Sequence, residues 1–311
     1  MWKKLIGIAI AYLVVGGIAP GQSQEAAPGV PKAVDVDTHG RVGSHIAIAT
    51  GTDELPVIAY YDETQGDLKV SKCLDPDCSG AVRTTTVDRE DSTGSYVAIA
   101  IDNQGMPVVS YLDATSGDLK VARCDAADCS GQAAISRLDT EGAVGLFTSI
   151  AVGEDDSPVI SYFDRDRCAL KVAKCNDMAC SGGDEVVTIV DKKGCVGLFS
   201  SLAISADGTP IIAYYDSNKG RLKVAKCRDA ACSGKAQISV VDESVSLGSF
   251  ANVAIGASGL PLITYYDHSR GDLKMARCND SACAGGDETV VTLDRVGLVG
   301  SYATLGFTAD Q

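Results

Sequence analysis

Tryptophan is nearly missing from this 311-residue chain: there is one, Trp2, and all aromatics together make up 5% of it. Any surface that stacks on a ligand must therefore be built from tyrosine, phenylalanine or histidine. Histidine is almost as scarce, at three residues, and no two cysteines stand in the Cys-x2-Cys spacing. A structural zinc site would lack its usual ligands. Cations are the minority, 27 Lys and Arg against 41 Asp and Glu, for a formal net charge of −14. Such a protein repels phosphates, which excludes nucleic acid and anionic membrane surfaces as partner classes. Long apolar runs are absent but for the 15 residues Leu5–Ala19, short of the roughly 20 a membrane helix needs. Disorder is excluded too, because 45% of the chain is hydrophobic and only 22% charged.

The run Leu5–Ala19 follows Met1-Trp2-Lys3-Lys4 and leads into Gly21-Gln22-Ser23-Gln24. A cationic start, an apolar centre and a small-residue exit describe a secretory signal peptide over residues 1–24, with a linker over 25–32. Its removal takes away Lys3, Lys4 and Trp2 and moves the net charge from −14 to −16. The expected location is secreted, periplasmic or cell-surface, with no membrane insertion after cleavage. In that oxidising setting the twelve cysteines read as disulfides. Ten form five pairs of one spacing: Cys73/Cys78, Cys124/Cys129, Cys175/Cys180, Cys227/Cys232 and Cys278/Cys283. Cys168 and Cys195 are left over.

Self-similarity organises the rest. The phrase Gly43-Ser44-His45 returns as Gly94-Ser95-Tyr96, Gly145-Leu146-Phe147, Gly197-Leu198-Phe199, Gly248-Ser249-Phe250 and Gly300-Ser301-Tyr302, in steps of 51 or 52 residues. Lys69, Lys120, Lys171, Lys223 and Lys274 keep the same beat. Each copy holds four strand-like runs: A (Ile46–Ala49), B (Pro56–Asp62), C (Leu68–Lys72) and D (Thr84–Asp88) in the first. Gly, Pro, Asn and Asp fill the joints, and no joint has room for a crossover helix, so each copy is an antiparallel meander. Four short strands about every 50 residues predict an all-β fold, a β-propeller of about five four-stranded blades over residues 33–311. An early D-like run (Ala33–Val36) and a final A-like run (Tyr302–Phe307) complicate the count. A six-bladed ring lacking two strands, or a truncated ring, stays open beside the preferred reading of five complete blades with the terminal strands docked at the seam.

The pattern aromatic-Asp-x4-Asp-Leu-Lys-Val followed by C-x4-C resembles repeats of secreted bacterial propeller-type proteins. More distantly, it resembles sialidase-like and lectin-like propellers. The resemblance covers residues 33–307 and implies a fold, not an activity. The sialidase Asp-box reads S-x-D-x-G-x-x-W; Ser205-Ala206-Asp207-Gly208-Thr209-Pro210 departs in spacing and has no tryptophan. No catalytic residue is carried over.

In a propeller the D–A and B–C connections share one face, here called the top. The C-x4-C pairs belong to the opposite face and act as staples, each worth about 2 kcal/mol by loop-closure entropy. The aspartates ending strand B (Asp62, Asp113, Asp164, Asp216, Asp267) read as Asx-turn residues. A ring of calcium ligands is the alternative, and otherwise no cofactor is expected. The repeated lysines are expected along strand C with solvated heads. The strand-B tyrosines are expected to pack between blades and send their hydroxyls to polar partners, and His45 to take an aromatic packing slot. The third copy is irregular: its B–C turn reads Asp164-Arg165-Asp166-Arg167-Cys168 and its D–A loop Asp191-Lys192-Lys193-Gly194-Cys195. Both loops lie on top, so Cys168 and Cys195 are placed to bond and to gather Arg165, Arg167, Lys192 and Lys193 into a basic island for a carboxylate, sulfate or phosphate. The functional expectation is a non-enzymatic extracellular binding or scaffolding propeller that recognises a protein or glycan through its top loops. A carbohydrate-binding lectin or a sialidase-like glycoside hydrolase is the alternative.

Overall fold

The computed structural model describes residues 33–243 and 247–306, with the side chain of Leu247 outside the description. The expected signal peptide and linker, and Phe307 of the final A-like run, fall outside these residues. Within them the fold is an all-β propeller of five four-stranded antiparallel sheets. Blade I consists of β1 (Val42–Thr50), β2 (Pro56–Asp62), β3 (Asp67–Cys73) and β4 (Val82–Asp88). Blades II to V repeat this order and begin with β5 (Thr93–Ile101), β9 (Leu146–Val152), β13 (Val196–Ile204) and β17 (Leu247–Ile255). In every sheet the strands pair in chain order, as a meander whose joints are too short for anything else requires.

The first strands are the inner ones, since β1 packs along β5, β5 along β9, β9 along β13 and β13 along β17. Small side chains (Ala47, Ala98, Ser149, Ser201) let them approach each other. Between blades lie apolar clusters. Val57, Leu68 and Val70 of blade I meet Val97, Val109 and Tyr111 of blade II, and equivalent clusters fill the next three boundaries. The strand-B and strand-C runs read as continuously apolar for this reason: they are covered on both faces.

All six disulfides form: Cys73–Cys78, Cys124–Cys129, Cys175–Cys180, Cys227–Cys232, Cys278–Cys283 and the longer-range Cys168–Cys195. The short bridges of blades II to V sit inside the inter-blade clusters rather than on the surface. Cys124, Cys129, Cys175, Cys180, Cys227, Cys232, Cys278 and Cys283 are all buried there. They close a loop and fill a wedge at once, which corrects the expectation that these pairs are staples and nothing more. The bridge of blade I departs from the other four. Cys73 is buried, but Cys78 is only half-buried and belongs to none of the clusters. The reason is positional: each short bridge packs against the preceding blade, and blade I has none before it. Cys73–Cys78 therefore closes its loop without filling a wedge. Six disulfides fit an extracellular protein. Among the described residues no helix is long and apolar enough to cross a membrane.

The four clusters join five blades in series. Among the described residues, blade V and blade I share no such core. Residues 33–41 dock on blade I instead, where the Tyr60 hydroxyl donates to Asp37 Oδ2 at 2.8 Å. At the other end, residues 300–306 dock on blade V, with the Leu305 amide donating to Asn252 Oδ1 at 2.8 Å. Neither terminal segment is hydrogen-bonded into a sheet.

Candidate functional site

The top face is set by how strand B ends. Asp62 Oδ1 accepts the amides of Thr64 and Gln65 at 2.9 and 3.2 Å, and the equivalent aspartates of the other blades cap their own B–C turns. These are Asx turns. Glycine follows at Gly66, Gly117, Gly220 and Gly271, all with positive φ. No group of three or more metal-ligating side chains occurs among the described residues.

The repeated lysines are not solvated, contrary to the expectation. Lys120, Lys171, Lys223 and Lys274 are buried, and each meets the aspartate that ends strand D of the preceding blade: Asp88, Asp139, Asp191 and Asp242. The same aspartates accept the hydroxyls of Tyr111, Tyr162, Tyr214 and Tyr265 at 2.7 to 2.8 Å. Lys69, Asp37 and Tyr60 repeat the arrangement at the N-terminal end. The reason is geometric: strand C lies inside strand D, so a side chain pointing sideways from it enters the wedge between blades. An ammonium there must be paired. Burial and the neighbouring carboxylates drive the Tyr111, Tyr162 and Tyr214 phenols well above their ordinary range. Burial opposes the charge on Asp191, yet the bonds from Lys223, the Lys193 amide and Tyr214 hold its carboxyl below the usual value. The recurring Asp at the end of strand D was the available sequence signal for this network.

At the centre of the top face runs an aromatic ladder. His45, Tyr96, Phe147, Phe199, Phe250 and Tyr302 follow one another, each ring tilted by 41–66° to the next, with ring centroids 4.6, 4.7, 4.5, 4.4 and 4.1 Å apart. Each comes from the start of a strand A or its equivalent, and each has a φ between 51° and 59°. That left-handed conformation is costly for a side-chain-bearing residue and marks a position held by its surroundings. The preceding glycine explains how it is held. A Cβ on Gly197 or Gly248 would lie 2.7 Å from the Cα of Leu170 or Leu222 in the preceding blade. The close approach creates a bulge that turns the next aromatic toward the axis. Tyr61, Phe163, Tyr266 and His268 add a second row beside the ladder. Tyr61, Tyr96, Phe147, Phe199 and Phe250 are half-buried, Phe163 and Tyr266 are buried, and His45, His268 and Tyr302 are exposed. His45 thus occupies the aromatic slot expected of it; the continuity of the stack is a feature the repeat alone does not announce.

The irregular loops of blade III lie on the same face. Cys168 replaces the turn glycine, keeps its left-handed backbone at φ 48°, and bonds to Cys195 across a Cα separation of 4.4 Å. Arg165, Arg167, Lys192 and Lys193 lie on the two clamped loops, and all four are exposed. Arg167 is already engaged: it donates to Asp164 Oδ2 at 3.1 Å, to the Glu141 carbonyl at 2.8 Å and to Glu141 Oε2 at 3.2 Å. Two depressions open beside the outer strands of blades I and II. One, of about 390 Å³, is lined by Asp88, Glu90, Lys120 and Arg137; the other, of about 470 Å³, by Asp37, His39, Lys69 and Thr84.

No family model matches the chain. No curated protein matches it either. Solved structures do match, by fold. The GH93 α-L-arabinofuranosidase of Fusarium graminearum, in complex with arabinobiose, aligns with a TM-score of 0.61 at 9% identity over 86% of this chain and 85% of that one. A Penicillium chrysogenum α-L-arabinanase, also complexed with arabinobiose, aligns at 0.58 with 12% identity over 84% and 83%. A Hadza microbial sialidase aligns at 0.57 with 14% identity over 83% of this chain and 60% of that one. The likeness is to sialidase-like and arabinanase-type propellers, and at these identities it is one of fold.

Proposed function

We propose that this chain is a secreted, non-enzymatic binding propeller whose ligand is a glycan, held on the axial aromatic ladder of the top face. The supporting observation is the ladder itself. Six adjoining rings set in unfavourable backbone conformations, none of them fully buried, make a preorganised apolar surface suited to the C–H faces of sugar rings. Interior packing alone would be met by aliphatic side chains on relaxed backbone. The fold neighbours, two of them bound to arabinobiose, favour a carbohydrate over a protein as the partner. The leader and the disulfides support an extracellular setting.

In this reading Arg165, Lys192 and Lys193 form the charged rim of the site and select a glycan carrying carboxylate or sulfate groups. Arg167 braces the loop through Asp164 and Glu141. The test is a glycan array that includes acidic and neutral arabinose- and sialic-acid-containing oligosaccharides, run on the wild type and Phe199→Ala. Binding by the wild type that the variant loses supports the proposal; an array with no binding overturns it.

A second reading, glycoside hydrolysis, is favoured by the fold neighbours, which are a sialidase, an arabinanase and an arabinofuranosidase. Turnover of fluorogenic arabinosides or sialosides would establish it in place of simple binding.

A further inference from the structure

The B–C turns and D–A loops of the top face are hydrogen-bonded into a belt. The Val196 amide donates to the Cys168 carbonyl at 3.2 Å, and the Ser217 amide to the Cys195 carbonyl at 2.9 Å. The turn of blade III, the loop between blades III and IV and the turn of blade IV are thereby fastened in line. The Val144 amide on the Gly117 carbonyl, the Arg165 amide on the Ala143 carbonyl and the Val299 amide on the Gly271 carbonyl repeat these bonds elsewhere. Each D–A loop runs into the bulge that carries a ladder ring, as Cys195 runs into Phe199. Charges on the belt are therefore held beside the rings.

The belt is electrically divided. On blades III to V it carries Arg165, Lys192, Lys193, Lys219, Arg270 and Arg295, all exposed. Among the described residues none of the six forms an ion pair. Between the strands, the carboxylates of this half are Glu243 and Asp166, and Asp166 Oδ2 already accepts the Ala143 amide at 3.0 Å. On blades I and II the belt carries Glu63, Glu90, Asp91 and Glu141, also exposed. Of the cations there, Arg41 is paired with Glu63 at 2.8 Å, and Arg89 adjoins Glu90 and Asp91. A chain with a formal net charge of −14 thus sets its unpaired top-face cations along three consecutive blades.

We propose that the ligand is a linear polyanionic glycan, with a carboxylate or sulfate on successive sugars, lying along blades III to V; this rests on the glycan reading of the ladder. One acidic group cannot serve cations spread over three blades, and a single exposed ion pair is worth little in water. Several anions on one chain act together, because each contact holds the next anion near its cation. The acidic half of the belt repels the same polymer, which fixes the arc it follows. The rings call for apolar C–H faces on the same ligand, which an acidic sugar offers beside its anion. Blade V shows the two kinds of contact within one turn: His268 lies 4.8 Å from the Tyr266 ring, and Arg270 follows two residues later. The Cys168–Cys195 bridge ties the turn of Arg165 to the loop of Lys192 and Lys193, so the densest charge stands at blade III.

The probes are a galacturonic-acid decasaccharide, its disaccharide, the methyl-esterified decasaccharide and a heparin decasaccharide, titrated into the protein by calorimetry. An acidic decasaccharide should bind about tenfold or more tightly than the disaccharide, and salt raised from about 50 to about 200 mM should weaken it by a similar factor, as about three released counterions imply. Methyl esterification should remove the gain. Lys219→Glu with Arg270→Glu, outside the clamped loops, should weaken the decasaccharide about tenfold while leaving Tm unchanged. The tighter of the two acidic decasaccharides identifies carboxylate or sulfate as the group carried. Equal affinity for the methyl ester, indifference to the charge reversal, or equal binding of polyglutamate or single-stranded DNA overturns the proposal. Binding of neutral glycans that Phe199→Ala abolishes, with no gain from acidic groups, overturns it and leaves the ladder reading intact. Affinity lost on charge reversal but kept in Phe199→Ala supports the charged arc and counts against the ladder.

Discussion

Lys120 Nζ lies 2.5 Å from Asp88 Oδ2, and each side chain is 1% exposed. The ion pair spans the boundary between blades I and II, is completed by the Tyr111 hydroxyl, and recurs at each later boundary. A buried pair of this kind adds less stability than an apolar replacement would, but it punishes the loss of one member. It ties one blade to the next at a fixed point of both strands.

Lys120→Met should therefore cost about 3–5 kcal/mol, since it leaves Asp88 charged and buried without its partner. The double variant Lys120→Met with Asp88→Leu should recover much of that loss. Urea unfolding of the two single variants and the double variant gives the coupling; strict additivity would contradict the account.

Alkaline pH should unfold the protein cooperatively. The buried phenols of Tyr111, Tyr162 and Tyr214 ionise well above the usual range in the folded state, and at about 10 in the unfolded chain. Their contribution is fully present below pH about 10 and declines as pH rises past it, because only the unfolded state releases these protons. Phenolate absorbance and circular dichroism should change together. Early, non-cooperative titration of all tyrosines would contradict the burial.

Acid should loosen the N-terminal end. Burial works against charge on Asp37, but the His39 amide and the Tyr60 hydroxyl hold its pKa at about 2. The folded value is depressed, so this stabilisation is present above pH about 4 and is lost as pH falls toward 2. After screening it amounts to about 1–2 kcal/mol. Asp37→Asn should flatten the pH dependence of stability in that window, measured by urea unfolding at a series of pH values.

Removing the Cys168–Cys195 bridge should cost about 3 kcal/mol, more than any one short bridge, since it closes a longer loop. Cys168→Ser with Cys195→Ser should also free the loops carrying Arg165, Lys192 and Lys193, and weaken acidic-glycan binding more than neutral. A peptide map joining Cys168 to any other cysteine would remove the clamp.

Strand order, blade length and the pairing of the five short disulfides were legible in the sequence because all are local. Residues 51 or 52 apart occupy equivalent places, and a meander needs only short turns. Pro56–Asp62 emerged with the limits its proline and aspartate implied. The solvation of the lysines was misjudged for an equally physical reason. Lys120 alternates along strand C like a surface residue, and its burial depends on Asp88, thirty-two positions earlier in another sheet. Cys78 shows the same limit: its spacing from Cys73 is that of every other short pair, yet its exposure depends on the blade that is not beside it.

The repeat thus determined that this chain folds as a propeller of four-stranded blades, because periodic apolar runs and turns prescribe each sheet from within. Only the tertiary structure decided what the sheets do to one another. It buried the lysines, aligned six recurring aromatics into one axial stack, and left the first and last blades with open faces. Those features arise where blades meet, and the angle between neighbouring blades comes from packing across many residues that no single repeat contains.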